Sequence, residues 1–395
     1  EKAIKTGAST MSEEETPCDG TKDELAEMPG TPEAGTASFL ANPNEFTSVA
    51  DVISIVRVPW ERRLQTAAVA SFVFALPFTM ACMLVSGLLL MNPFTTFPML
   101  IYLVVIYNDT AQHTGKRRSE WVRGWKWWKH FAAYFPMSLR SDAKLNPDDK
   151  FVFGYHPHGI ISVGALATFG TDGLDFSGVF PGIDVHLVTL PTNFRVPFLR
   201  EIWLSLGICD SSKKTFKSIL SRGSGSAIAV VVGGAAESLE SAPGTMELTL
   251  CNRRGFVRQA ILYGACLVPV VGFGETDVFQ TTQMPAIKSI QERLQKYMGF
   301  AVPIFHGRGV FNKAFGLLPF RRSVHVVVGT PVDPAKLSPL AKLAAEKGEG
   351  WLCKDEQGVK LVELVHDAYM EELQKVYDRH KNVCYPMRVK SMVIN

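Results

Sequence analysis

Two histidines with a proline between them, His156-Pro157-His158, stand in the segment FVFGYHPHGIISVGA that covers residues 151–165. Imidazole has an ordinary pKa close to neutrality, so either ring suits proton transfer at physiological pH. The apolar, aromatic run before them has strand character. Pro157 supplies no ladder donor and Gly159 permits a tight turn, so the strand should end near His156. Both rings then lie at the carboxyl end of a strand, where open α/β sheets place their ligand crevices. The chemistry that fits is removal of a proton from an alcohol as it attacks an acyl group. Two other roles stay open. A metal would need a third ligand, and no other His, Cys, Asp or Glu lies close in sequence. Buried histidines also commonly do no more than satisfy backbone groups. His158, after the proline at the mouth of the turn, is the favoured base, with His156 behind it.

Three further stretches carry groups that such a reaction would use. AIAVVVGGAAESLESAPGT, residues 227–245, reads as a buried strand, a Gly233-Gly234 turn and then Glu237. Strand-turn geometry sets Glu237 on the same sheet edge as the histidines. A carboxylate there could orient an imidazole and stabilise its cation, or it could simply cap the first turn of a helix. Asn252-Arg253-Arg254-Gly255 opens the next helix. Two guanidiniums beside free helix N–H groups suit phosphate; the alternative is a solvated basic surface. In VPFLREIWLSLG, residues 196–207, Arg200 either meets an anionic headgroup or a coenzyme phosphate, or snorkels at the surface. No G-x-S-x-G elbow and no P-loop occurs in the chain, which argues against hydrolases and nucleoside triphosphatases of those types.

The elements that must position these groups follow from the pattern after residue 148. Short β-branched runs over 151–155, 185–190, 227–232, 267–273 and 324–328 alternate with helical patterns over 196–206, 213–222, 257–263, 287–298 and 359–380. That alternation predicts an α/β domain over 148–390 with a mostly parallel sheet. The whole chain has 395 residues, 47% of them apolar, and a net charge of only +3, which excludes a bulk nucleic-acid footprint. Seven cysteines, an odd number with no C-x-x-C pair, read as free thiols in a reducing compartment. Residues 1–50 are rich in Glu, Thr, Pro and Gly and are expected to be disordered. No basic start followed by an apolar run marks a signal peptide there.

Between these parts, residues 66–107 contain no charged side chain. The first arm, to about Met91, has the roughly 20 apolar residues that cross a hydrocarbon core. Asn92-Pro93 breaks the run, and the second arm is short for a span. A transmembrane or re-entrant helical hairpin over 51–120 is therefore expected; a buried pair of core helices is the alternative. Arg57, Arg62 and Arg63 precede the run, and Lys116, Arg117, Arg118, Arg123, Lys126 and Lys129 follow it. Basic flanks on both sides favour two cytosolic ends. The segment 121–147 begins WVRGWKWWKHFAAYFP, in which four tryptophans alternate with cations. It reads as an interfacial helix, or an amphipathic helix packed on the domain.

The order of motifs resembles that of the type 2 diacylglycerol acyltransferase family. The match runs through Tyr134-Phe135-Pro136, YHPHG at 155–159, PFLR at 197–200, GGAAES at 233–238, NRRGFVR at 252–258, LVPVVGFGE at 267–275 and FHGRG at 305–309. The resemblance implies an endoplasmic-reticulum membrane enzyme with a cytosolic catalytic domain, reaching the lipid-droplet surface. It would use fatty acyl-CoA as co-substrate and no cofactor, acylate diacylglycerol, contact membrane lipids and leave room for a homo-oligomer. Tyr134, Phe135, Pro136, Gly159, Gly233, Gly234, Arg200, Asn252, Arg253 and Arg254 would line substrate, without metal. Glycerolipid acyltransferases related to this family use a histidine and an acid spaced H-x-x-x-x-D. Here no acid follows either histidine at that spacing, so a distant acid such as Glu237 serves or none does. A monoacylglycerol or wax-ester enzyme of the same family and a non-catalytic lipid-binding droplet protein are the rival readings. A lysophospholipid acyltransferase would want the missing spacing.

Overall fold

The computed structural model describes residues 58–281, 304–310 and 315–395. Residues 1–50, Arg57 and the helix expected over 287–298 lie outside the described residues.

Seven strands form one sheet: β1 (Ser138–Ser141), β2 (Phe151–His156), β3 (Asp184–Thr189), β4 (Cys209–Asp210), β5 (Ser226–Val231), β6 (Cys266–Phe273) and β7 (His325–Val328). Their spatial order is β1-β7-β6-β2-β5-β3-β4. Every neighbouring pair is parallel except β6 with β7. The domain is thus α/β with a mostly parallel sheet. The central strands are buried on both faces, which is why FVFGYH and CLVPVVGF read as nearly continuous apolar runs. Register pairs Tyr155 with Val231 on one side and with Val270 on the other. The carboxyl ends of β2, β5 and β6 therefore lie side by side at one edge.

Side chains alternate across the sheet with period two. Phe151, Phe153 and Tyr155 enter a core cluster with Phe169 and Phe176; Val152 enters the opposite cluster. The second cluster is covered by a long C-terminal helix, Glu356–Cys384, which extends beyond the expected 359–380. Asp355 starts it by accepting hydrogen bonds from the N–H groups of Gln357 and Gly358. Leu361, Val365, Tyr369, Leu373 and Val376 recur at helical spacing on its buried side.

Two sequence expectations change. The segment 121–147 is not one helix: Glu120–Arg123 and Lys126–Tyr134 are separate helices, and β1 follows. Gly124 closes the first, whose guanidinium at Arg123 is buried on the carbonyls of Phe169, Gly170 and Leu206. The sheet consequently begins at 138 rather than after 148. The polar sequence SLRS hid this strand, which holds the sheet edge beside β7.

Before the sheet come helices Trp60–Val73, Ala75–Met91 and Pro93–Asn108. Asn92 links the last two and caps the latter by accepting from Phe94 N–H at 3.0 Å. Many of their large apolar side chains face outward, among them Leu84, Leu88, Phe94 and Phe97. Among the described residues no single helix is long and apolar enough to cross a membrane; Trp60–Val73 and Pro77–Met91 would suffice together but are bent by 57°.

Candidate functional site

Three loops meet at the carboxyl edge of the sheet: HPHG after β2, GGAAES after β5 and Gly274-Glu275 after β6. The period-two alternation separates the last residues of β2. Tyr155 goes to one face and His156 to the other, under the long helix. His156 is fully buried, and its Nε2 lies 2.8 Å from the hydroxyl of Tyr369, which also donates to Gly154 O. Burial, with a smaller repulsion from the buried His366, pulls the His156 pKa down to about 3. It stays neutral and cannot be reached from outside.

His158 differs. It is half-buried, and its Nδ1 lies 3.1 Å from Gly159 O and 2.9 Å from Ser238 Oγ. A carbonyl only accepts, so a proton on Nδ1 satisfies that contact and leaves a lone pair on Nε2. Among the described residues Nε2 has no hydrogen-bond partner. Burial lowers the pKa of His158 as well, so the ring is neutral at pH 7 and able to accept a proton. Gly159 has φ +59°, and a Cβ there would press on Glu275 Cγ at 2.9 Å. The turn that presents His158 needs glycine for both reasons.

Glu237 makes no hydrogen bond to either imidazole. Its Oε2 accepts the backbone N–H of His158 at 2.8 Å, and its Oε1 accepts that of Thr249 at 2.8 Å. The expected imidazole contact is therefore corrected to a grip on the backbone of the HPHG turn. The reason is the close wrap of the β5 loop: a Cβ at Gly233 would overlap the Glu237 carboxylate. Gly234, with φ +59°, turns the chain into the short helix Gly234–Glu240 that carries both Glu237 and Ser238. Burial raises the Glu237 pKa against the opposing pull of the two N–H bonds.

Glu275 closes the LVPVVGFGE motif, but the sequence reading gave it no role. It is fully buried and accepts from Tyr155 Oη at 2.6 Å, Val163 N at 2.7 Å and Gly164 N at 2.9 Å. Burial pushes its pKa up to about 7. It ties the chain beyond HPHG to the end of β6, as Glu237 ties HPHG to the end of β5. Its signal in the sequence was an acid directly after an apolar strand, in VGFGE. Ser238 stood at the end of GGAAES without an assigned role, and Tyr369 lay in no motif.

The remaining expected site residues are scattered. Arg200 is enclosed: it pairs with Asp109 and Glu201, each at 2.8 Å, and donates to Phe194 O. A guanidinium so placed braces the interior and is not offered to a headgroup or coenzyme phosphate, which corrects that expectation. Tyr134 donates to Pro319 O at 2.6 Å and accepts from Arg308 Nε at 2.9 Å, with the Arg321 guanidinium 4.1 Å above its ring. Phe135 is buried and Pro136 exposed in the same seam. Tyr134 thus joins YFP to FHGRG through Arg308, and among the described residues none of the three is hydrogen-bonded to His156 or His158. Arg253 reaches Gly233 O at 3.4 Å, Arg254 pairs with Glu363 at 2.9 Å, and Asn252 is exposed. Among the described residues no three His, Cys, Asp or Glu side chains come together as a metal-binding group.

A family model described as diacylglycerol acyltransferase matches residues 88–394. The chain belongs to the diacylglycerol acyltransferase family. Diacylglycerol O-acyltransferase 2 of Dictyostelium discoideum is 39% identical over 347 residues, 86% of this chain and 99% of that protein. Human 2-acylglycerol O-acyltransferase 1 is 41% identical over 81% of this chain and 92% of its own. Human diacylglycerol O-acyltransferase 2 is 36% identical over 89% of each. Membership makes the chain an acyltransferase and sets aside the reading as a non-catalytic lipid-binding protein. Among solved structures, the 1-acyl-sn-glycerophosphate acyltransferase of Thermotoga maritima aligns over 80% of this chain and 97% of its own, with 11% identity and a TM-score of 0.32.

Proposed function

We propose that this acyltransferase moves a fatty acyl group from acyl-CoA to the free hydroxyl of diacylglycerol, with His158 as general base. The observation that carries the assignment is the half-buried ring whose Nδ1 is fixed by Gly159 and Ser238 while Nε2 faces no described partner. Nε2 takes the hydroxyl proton as the oxygen attacks the thioester carbonyl carbon. The C–S bond then breaks, and the imidazolium returns that proton to the departing thiolate, so ester and free thiol leave. Backbone N–H groups of the glycine-rich turns stabilise the oxyanion. Glu237 is a positioning residue that holds the amide of His158. Arg253 and Arg254 suit the coenzyme phosphates. A second acceptor is favoured by one observation: relatives as similar as 41% are named for 2-acylglycerol.

The apolar helices Ala75–Met91 and Pro93–Asn108 support a membrane hairpin that dips into the endoplasmic-reticulum bilayer, with the catalytic domain on the cytosolic side and access to droplet surfaces. The exposed Trp121 and Trp125 suit the headgroup layer. Water-insoluble acceptor and charged donor would then meet at the interface. Expression in a cell that lacks triacylglycerol synthesis, with products resolved by class, tests the whole reading. Restored triacylglycerol supports it; diacylglycerol alone from 2-acylglycerol moves the acceptor to the second reading; neither product refutes both.

A further inference from the structure

A cavity of about 320 Å³ opens beside the catalytic edge, outside the residues assigned above. That is within the size range of small-molecule sites. Its floor is apolar, made by Val230 near the end of β5 and by the buried rings of Phe216 and Phe256. Gln259 also lines it. That side chain is only 5% exposed, and its Oε1 has no hydrogen-bond partner. The amide orientation is set by Glu349, whose carboxylate takes the Gln259 Nε2 hydrogen at 3.2 Å, so the unmatched atom is an acceptor. A buried acceptor without a donor is costly, and a bound donor removes that cost.

Cations stand at the mouth. Lys213 is exposed and pairs with Glu349 at 2.8 Å. Arg258 has no carboxylate within ion-pair distance among the described residues; its Nη1 reaches Cys353 Sγ at 3.1 Å, and its Nε is buried without a partner. The cavity thus asks for a flat apolar ring that bears a hydrogen-bond donor and is joined to a phosphate. Purine with an exocyclic amine, on a phosphorylated ribose, meets each demand: ring on the phenylalanines, amine to Gln259, phosphate to Arg258 and a ribose hydroxyl to Glu349.

Two contacts link the cavity lining to the turns that carry the histidines and Glu237. Phe256 packs edge-on against Tyr369 with centroids 5.2 Å apart, and Tyr369 holds His156. Arg253, two residues before the helix Gly255–Tyr263 that lines the cavity, contacts Gly233 O at the Glu237 turn. We infer that this cavity seats the 3′-phosphoadenosine end of acyl-CoA, with the pantetheine arm running past Arg253 and Gly233 to His158. The inference rests on acyl-CoA as donor.

Cys353 at the rim and Cys251 outside the cavity are both exposed free thiols, which allows a test independent of turnover. Microsomes holding the full chain are alkylated with and without adenosine 3′,5′-bisphosphate, and modification is followed at each cysteine by mass spectrometry. The nucleotide is expected to slow Cys353 and leave Cys251 alone, and Arg258→Ala to abolish that protection. In parallel, Lys213→Ala with Arg258→Ala should raise KM for a long-chain acyl-CoA about tenfold, with KM for diacylglycerol unmoved, and should erase the preference for acyl-CoA over its 3′-dephospho analogue. Ser211→Trp, at an exposed rim position, should raise the same KM without removing a charge. Equal protection by inorganic phosphate would make this a plain anion site and overturn the inference. Unmoved KM values and unprotected Cys353 in an enzyme that uses acyl-CoA would also overturn it, leaving the donor assignment intact. Protection of Cys353 in a chain that makes no product from acyl-CoA would instead overturn the donor assignment and, with it, this inference.

Discussion

Replacing Glu237 by glutamine separates two ways in which an acid can serve a catalytic histidine. In this structure each carboxylate oxygen accepts one backbone N–H, from His158 and from Thr249, both at 2.8 Å. Glutamine can satisfy one of them, while its NH2 faces the other donor. A hydrogen bond to a charged group contributes about 1.5–3 kcal/mol. If the amide turns its NH2 toward His158, a loss of about 2 kcal/mol in positioning corresponds to a fall in kcat of roughly 30-fold. If it turns toward Thr249, kcat falls less, so roughly 30-fold is the upper bound. Because the side chain makes no hydrogen bond to the imidazole, the apparent pKa in the profile of kcat/KM against pH should stay in place. An acid hydrogen-bonded to the imidazole behaves otherwise: its amide counterpart costs about 10⁴. Glu237→Ala is the weaker test, since it leaves two buried N–H groups unmatched and endangers folding. The assay is acyl transfer in microsomes across pH 5–9, normalised to folded protein. A fall of a thousandfold or more, with a displaced profile, would put the carboxylate on the ring and refute the backbone-grip argument.

Four other outcomes follow from the same geometry. His158→Ala should lower kcat by about 10²–10⁴ with little change in thermal midpoint; full activity would remove it as the base. Tyr369→Phe leaves His156 Nε2 and Gly154 O without their hydroxyl, so unfolding should cost about 1–3 kcal/mol less, read as a lower thermal midpoint with turnover per folded molecule kept. Glu275 has a folded pKa raised from 4.5 to about 7. Its contribution is therefore fully present below about pH 4.5 and is lost as pH rises through 7. Relative to Glu275→Gln, the wild type should lose about 3 kcal/mol between pH 4.5 and 8, seen as thermal midpoints that diverge by several degrees; parallel curves would contradict the burial argument. Leu84→Asp with Leu88→Asp places two charges on outward positions of the apolar pair, at 65% and 57% exposure. Each charge costs about 2.5–3.5 kcal/mol at a bilayer centre, so the protein should leave the carbonate-resistant membrane fraction. Undiminished retention would place the anchor elsewhere.

The sequence by itself determined the class of fold, because a strand buried on both faces must be apolar throughout, and five such runs alternate with helical patterns. It also placed the HPHG and GGAAES turns at one carboxyl edge of the sheet: Pro157, Gly159 and the Gly233-Gly234 turn end strands by local backbone chemistry, which needs no knowledge of neighbours. It did not reveal β1, whose polar residues carry no periodic signal and which is held at the edge by pairing with β7. Nor could it decide what the charged side chains do. Glu237 read equally well as an acid for an imidazole or a helix cap, and Arg200 as an anion binder or a surface residue. Only the tertiary structure turned Arg200 inward onto Asp109, a residue 91 positions away, and bent Glu237 back onto the amide of His158. The choice between the histidines was likewise tertiary. His156 and His158 have the same intrinsic chemistry, but Tyr369 arrives from a helix more than two hundred residues later and seals one of them. Burial and partner geometry depend on which distant segments pack together, and local sequence does not encode that.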